Sequence, residues 1–556
     1  MSEYSMKFIP STEKCFMDDK IENKPEITRL SMLRNERLGF QLCYTKDDSH
    51  PQYPSAPSLE IDFPFLEKLC ICRVEQVPVQ MPVYKGLPNE NYLRTEPGLY
   101  PDLLLPYEKK PRFLFVSGEL RSLFFFLEDE NGLEPGDYTL TVRAAAGTEI
   151  YAEASIVIHV VNAMLPETDF KHTQWFHYDS LAHYYGVKVF SEKHWTLVEN
   201  FASEAVKAGI NMILTPVFTP ALDTAVGTER LTAQLIDVTV EKDGSYRFGF
   251  EKFDRFVKLM TKVGMKYFEI AHLYTQWGCA HAPKIMAKVN GRTKRIFGWE
   301  TDAHGEEYRA FVRAFLTAFV AHVKALGIDK QCYYHISDEP RPNHIEAYLN
   351  AKETIGNLLD GYVIMDALSD YSLYESGAVQ KPIPSINHLA PFLEHKVPDL
   401  WTYYCCSQSQ VVPNRFMAMP GARTRIIGTM FYQYQIAGFL QWGYNFYNSA
   451  LSYYPVDPFA DTCGDYMVPA GDTFSVYPGD DGKPWRSLHG VQFTEALTDL
   501  RALRLCESLI GREKTTALLE EGLERPITEF DFPKEQEFIL SYRERINEAI
   551  EKAANK

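Results

Sequence analysis

The segment Tyr333-Tyr334-His335-Ile336-Ser337-Asp338-Glu339-Pro340 places two consecutive carboxylates at the end of a β-rich run. Asp and Glu are seldom withdrawn from water without a partner or a task. Two carboxylates held close push their pKa values apart. One then keeps its proton as a general acid, while the other stays ionised and stabilises positive charge. Neighbours on an extended strand point to opposite faces, so Asp338 and Glu339 share a pocket only if the chain turns between them. Pro340 disfavours the α region at Glu339 and ends the strand. The same residues also fit a helix start, with Asp338 as N-cap and acidic side chains in the first turn ahead of Pro340 and Pro342.

Cleavage of a glycosidic bond needs such a pair around an oxocarbenium-like transition state. Adjacent residues approach a sugar from one side. That fits poorly with two carboxylates set apart across the anomeric carbon, and better with help from the substrate. A 2-acetamido oxygen attacks the anomeric carbon while one carboxylate orients its N–H. The other protonates the leaving oxygen and then activates water, and two inversions give retention. Aromatic and amide side chains that could frame a sugar close other β runs: Trp401-Thr402-Tyr403-Tyr404 and Gln441-Trp442-Gly443-Tyr444-Asn445-Phe446. A ring face packs on sugar C–H groups, and Tyr or Asn can bond the hydroxyls. Period-two alternation predicts Trp442 and Tyr444 on one face, with Asn445 reaching the pocket through a bend. Asn387, Asp179 and His272 end three further runs and are candidates for sugar hydroxyls; a loop cap is the alternative for Asn387.

The elements that must position these residues divide near residue 165. Up to there the chain is β-rich: Phe40–Thr45, Arg112–Val116, Leu120–Leu127, Tyr138–Ala145 and Ala152–Val160, punctuated by Pro and Gly. Short strands with turn signals predict a β-sandwich over 1–165, either a carbohydrate-binding module or a rigid support. From 166 to 515 strands and helices alternate. Eight strands are predicted at Gln174–Tyr178, Asn211–Thr215, Tyr267–Ile270, Cys332–Ser337, Tyr362–Asp366, Pro384–Asn387, Trp401–Cys405 and Phe439–Phe446. Helices are predicted at Thr196–Ala208, Glu251–Val263, Glu306–Leu326 and Arg341–Leu359, among others. Eight βα units predict a (β/α)8 TIM barrel, whose chemistry sits where strands meet their following loops. An open doubly wound sheet is the rival, but no GxGxxG or GxxxxGK[ST] follows any predicted strand. Residues 516–556 read as a charged helical tail facing solvent.

The composition narrows the partners. The 556 residues carry 57 Lys plus Arg against 74 Asp plus Glu, a formal charge of −17. That argues against nucleic acid and anionic membrane surfaces as partners and leaves a small neutral glycan or glycoside open. The first residues lack the apolar run of a signal peptide, so a cytoplasmic chain with reduced thiols is expected. His172, His177 and His183 match no zinc spacing, HExxH and EF-hand patterns are missing, and so is a Gly-x-Ser-x-Gly elbow. No metal or other cofactor is expected, and the oligomeric state is left open.

Four stretches carry a resemblance: FGWETDAHGEEYRAF at 297–311, YYHISDEP at 333–340, GFLQWGYNFYN at 438–448 and YPGDDG at 477–482. In this order they resemble glycoside hydrolase family 123, the exo-β-N-acetylgalactosaminidases. The resemblance implies a retaining, acetamido-assisted hydrolase in which Glu339 is the general acid/base and Asp338 holds the acetamido N–H. It implies Tyr403 or Tyr404 at the acetamido oxygen, and Trp442 and Asn445 in the pocket. Two other readings remain open from the residues alone: a hydrolase of sugars lacking the acetamido group, and a carbohydrate-binding protein without turnover.

Overall fold

The computed structural model describes residues 4–47, 57–87, 91–107, 114–276 and 278–555. The N-terminal region folds into two facing β-sheets. A four-stranded sheet packs against a seven-stranded one through apolar residues that include Phe8, Phe40, Phe125, Leu140 and Ile158. The predicted runs become strands at Leu38–Lys46, Arg121–Leu127, Gly136–Ala146 and Glu149–Val161. Arg112 and Phe113 of the predicted run Arg112–Val116 lie outside the described residues, and no strand forms at 114–116. Two strands of the seven-stranded sheet arrive from far along the chain. The hairpin of Val476–Pro478 and Pro484–Ser487 adds to its edge, with Arg486 opposite Leu104. The late YPGDDG loop therefore joins the N-terminal sheet to the rest of the molecule.

The second region is a parallel eight-stranded ring. Its strands, numbered here along the barrel, are one (Lys171–Gln174), two (Met212–Thr215), three (Tyr267–Ile270), four (Cys332–Tyr334), five (Val363–Ala367), six (Lys381–Ile383), seven (Trp401–Tyr403) and eight (Gly438–Gln441). Strand eight pairs with strands one and seven. Between six and seven the ring closes by the Tyr403 N–H donating to Pro384 O at 3.1 Å. Several strands are shorter than predicted or displaced. Strand one ends where the prediction begins, because its residues (Lys-His-Thr-Gln) are polar and do not advertise burial. Strand eight stops at Gln441 because Gly443 lies against the Thr473 backbone, where a Cβ would come within 2.4 Å of Thr473 O.

The helix Glu306–Leu326 shows why the barrel's outer layer was legible. Tyr308, Phe311, Phe315, Phe319 and Val323 recur at helical spacing and are buried, and Gly327 closes the helix at φ 71°. Each such ring removed from water contributes about 1.5–3 kcal/mol. A satellite sheet of Asp237–Val240, Tyr246–Gly249, Ile285–Val289 and Arg292–Phe297 grows from the loops after strands two and three.

The tail corrects the expectation of a solvent-facing helix. In Gln536–Ala554, Ile539, Tyr542, Arg543, Ile546, Asn547 and Ile550 are buried. Arg543 donates to Glu36 at 2.8 Å and lies 2.9 Å from Asp499, while Asn547 donates to Ser31 Oγ at 2.7 Å. The helix thus ties the sandwich to the helix Leu488–Ile510 of the second region. Its polar residues suggest solvent in the sequence, yet Arg543 and Asn547 are buried against charged and polar partners. Arg543→Ala leaves Glu36 and Asp499 buried with less compensation, at a cost of about 3–5 kcal/mol. Thermal unfolding should show a clear drop in midpoint, only partly restored by Arg543→Lys, whose ammonium cannot fork between two carboxylates.

Candidate active site

Strand four ends at Tyr334, and the chain then bends through Ser337-Asp338-Glu339. No helix begins on this acidic pair. The next helical turn, Pro342–His344, starts behind Arg341, so the capping alternative does not hold. Glu339 sits at φ 44°, a left-handed conformation costly for a side chain with a Cβ. That step turns two successive carboxylates into one cavity. Three contacts hold it: Ser337 Oγ donates to Thr275 O at 2.9 Å, Tyr274 N–H donates to Ile336 O at 3.1 Å, and the Tyr403 hydroxyl donates to Glu339 Oε1 at 2.7 Å.

The cavity has a volume of about 310 Å³ and is lined by Trp175, Asp223, Asp338, Glu339, Tyr403 and Trp442, with Cys405, Cys406, Leu451 and Met467 among its other walls. That is at the small end of ligand pockets. Its residues come from the ends of strands five, seven and eight and from the loops beyond strands one, two, four, seven and eight, at the C-terminal mouth of the barrel. Trp442 is fixed by its Nε1–H donating to Asp472 Oδ2 at 2.9 Å.

The site is rich in acid. Burial, and then the neighbouring charges of Glu339 and Asp223, hold the Asp338 carboxyl well above the usual range. Burial pushes Asp223 up to about 6 against the pull of Arg230. Burial lifts Asp472 to about 6 against Arg415 and the bonds from Trp442 and Gln441. The free site therefore disfavours a negative charge on Asp338 beside Glu339.

Beneath lies a buried ion triad. His335 Nε2 meets Glu269 at 2.7 Å and Nδ1 meets Asp366 at 3.2 Å. Thr173 and Tyr348 donate to these same carboxylates, and Trp175 Nε1–H donates to Glu269 Oε1 at 2.8 Å, which sets the ring that lines the cavity. Burial works against a charge on His335, but the bonds to Asp366 and Glu269 prevail and lift it to about 10. His272 stacks on His335 with centroids 4.2 Å apart. Burial and the charge of His335 hold it neutral. Donor atoms of His272, His335 and Asp366 lie within 4.8 Å of one another, close enough for a metal ion. Both nitrogens of His335 are, however, already committed to carboxylates.

The sequence candidates fall into two sets. Asp338, Glu339, Tyr403 and Trp442 meet at the cavity, and His272 lies below it. The others are placed elsewhere. Asp179 is clamped by Arg230 through two bonds of 2.7 Å. Asn387 accepts from Ser385 Oγ at 2.9 Å and Gln408 at 3.0 Å, as a loop cap. Trp401 fills the barrel interior against Gly438. Tyr404 points outward onto Phe439 and Phe493. Tyr444 does not share the face of Trp442: it is buried, stacked on Phe176, and its hydroxyl donates to Phe201 O at 2.9 Å. Asn445 does not bend into the pocket but brackets His177, accepting from its N–H at 2.8 Å and donating to its carbonyl at 3.1 Å. Alternation failed here because strand eight had already ended. Asp223, Trp175, Cys405, Cys406 and Asp472 were missed. Trp175 directly follows strand one and had a readable signal; Asp223 and Asp472 sit in irregular loops and had none.

A barrel whose mouth gathers paired carboxylates and aromatic walls defines a glycoside hydrolase. The family model for the catalytic domain of glycoside hydrolase 123 matches residues 175–506, and the chain belongs to that family. Its fold is similar to that of a family 123 glycoside hydrolase from Clostridium perfringens, described for glycolipid glycan hydrolysis. The TM-score is 0.74 at 15% sequence identity, over 99% of each chain. A Bacteroides ovatus GH5 xyloglucanase is far less similar, with TM-score 0.31 and 9% identity over 84% of this chain and 98% of that one. No curated protein sequence matches. Among the described residues no helix is long and apolar enough to cross a membrane.

The triad predicts a pH signature. A His raised above its unfolded value of about 6.5 gives its full stabilisation below that pH. It loses this as pH rises through about 10. The melting-temperature gap between wild type and His335→Gln should be widest at pH 6 and narrow steadily towards pH 10.

Proposed function

We propose that the protein is a retaining exo-β-N-acetylgalactosaminidase that removes terminal β-linked GalNAc through 2-acetamido assistance and an oxazolinium intermediate. The observation that carries this reading is the opening of Asp338 and Glu339 into one cavity from one side. Adjacent carboxylates that approach from one side suit a nucleophile supplied by the substrate better than a direct displacement across the anomeric carbon, with Asp223 the remaining carboxylate of the cavity. A glycan ending in β-GalNAc is the proposed substrate, and a glycolipid glycan is one such source, the Clostridium perfringens relative being described for glycolipid glycan hydrolysis.

The proton placement supplies the order of events. In the free site burial and the neighbouring carboxylates favour the protonated form of Asp338. When the acetamido N–H donates to Asp338 it favours the ionised carboxylate, and the proton passes to Glu339, beside the leaving oxygen. Asp338 then balances positive charge on the oxazolinium ring. Glu339 gives its proton to the leaving oxygen and afterwards takes one from the attacking water. Tyr403, rather than the outward-facing Tyr404, stands ready to bond the acetamido oxygen as its link to Glu339 rearranges. Trp442 and Trp175 exclude water and face the sugar ring.

Glu339→Gln should cut kcat on an unactivated β-GalNAc glycoside by about 10²–10³-fold, the scale of losing one transition-state contact, with the melting temperature unchanged. Asp338→Asn should erase the advantage of N-acetylated over plain β-galactosides. An aryl-glycoside panel with the product anomer read by NMR should give β-GalNAc cleavage with retention and little β-Gal cleavage. Equal rates on β-Gal and β-GalNAc would contradict obligatory assistance.

A further inference from the structure

The cavity wall continues outward into a rim with an unusual surface. Leu451 and Met467 line the cavity. Two residues beyond Leu451, and directly before Met467, stand Tyr453 and Tyr466, exposed by 63% and 66%. Val226, 73% exposed, lies on the loop that meets this rim. It is tied to the same rim by the Ala225 N–H donating to Leu451 O at 2.9 Å and by Ser452 Oγ donating to Asp223 O at 2.7 Å. Clustered large apolar side chains at a site mouth mark contact with something.

The backbone shows that this presentation is imposed. Leu451, Ser452, Asp465 and Tyr466 have φ of 51°, 54°, 55° and 60°, a left-handed cluster that side chains with a Cβ avoid. The two turns are linked by the Tyr454 hydroxyl to Asp465 and by the Ala450 N–H to Gly464 O at 3.0 Å. The outcome is that Leu451 and Met467 face inward while Tyr453 and Tyr466 face water. Residues 449–468 include Asp457, Asp461 and Asp465 and no Lys, Arg or His.

We infer that Tyr453 and Tyr466, flanked by Val226, form the platform for the sugar on the leaving side of the cleaved bond, and that they select an uncharged second sugar. This rests on the function proposed above. Exposed phenol faces suit the C–H faces of a pyranose, and the rim is continuous with the cavity that holds Glu339. An acidic segment without a cation disfavours a sialylated or sulfated ring at the same place. The platform thus gives the enzyme a preference for glycans over glycosides with a small leaving group.

The test compares β-GalNAc azide, which has no second ring, with a β-GalNAc-galactose disaccharide and its sialylated counterpart, in wild type and Tyr453→Ala/Tyr466→Ala. The double variant should leave azide hydrolysis within about twofold and lower kcat/KM on the disaccharide about tenfold, mainly through KM, a loss expected of two stacking contacts. Wild type should cleave the sialylated substrate at least about tenfold less well than the neutral one. Equal losses on azide and disaccharide, or none on either, would overturn the platform. Failure of wild type to cleave either neutral substrate would sink the proposed function instead. The platform is then judged by saturation-transfer NMR with the disaccharide: transfer to the galactose ring that survives in the double variant overturns it.

Discussion

The site depends on a single left-handed step at Glu339. Consecutive residues on an extended chain diverge, so without that step one carboxylate would face the barrel mouth and the other the packing around it. A non-glycine residue at φ 44° costs of order 1–3 kcal/mol and survives only where its surroundings leave no alternative. Those surroundings are visible. Ser337 is bonded to the loop after strand three, Ile336 N–H reaches Asp366 at 3.3 Å, Pro340 is buried, and Tyr403 reaches across from strand seven to take Glu339. Strands three, five and seven therefore all converge on a turn that follows strand four.

The second constraint is electrostatic. A cavity lined by Asp223, Asp338 and Glu339, with Asp472 bonded to Trp442 behind it, gathers acidic groups where burial opposes their ionisation. Such a site stabilises a cationic transition state without reorganising as the reaction proceeds. It also makes the folded protein bear carboxyls that burial pushes up, to about 6 at Asp223 and Asp472, a cost to stability that other parts of the molecule offset. The triad of Glu269, His335 and Asp366 gives the floor a fixed charge pattern and orients Trp175. The tail helix closes the scaffold from outside through Arg543.

Much of the fold was legible because hydrophobic period and turn chemistry agreed with it. Glu251–Val263, Glu306–Leu326 and Tyr267–Ile270 appear with the bounds their sequences predict. The carboxylate pair was legible because its cost in a strand end demands an explanation. What was hidden has identifiable causes. Strand one is polar, since Thr173 and Gln174 serve buried partners. Tyr444 and Asn445 looked like sugar ligands because their types suit a sugar, but the chain leaves strand eight at Gln441, and their partners are the Phe201 carbonyl and the His177 backbone. Asp179 is consumed by Arg230, a pairing of residues 51 positions apart that no local pattern announces. Asp223 enters the cavity from a loop whose path is set by Gln276 and Ser452, again through contacts remote in sequence.

The most direct measurement of the central claim is a crystal structure with a GalNAc-derived thiazoline, a stable mimic of the oxazolinium ring. The inhibitor should be seated between Trp175 and Trp442. The ring nitrogen should lie within hydrogen-bond distance of Asp338, about 2.6–3.0 Å, with Glu339 facing the anomeric carbon and its left-handed turn unchanged. A thiazoline bound with Asp338 turned away from the ring nitrogen, or with the two carboxylates on opposite sides of the sugar, would contradict it.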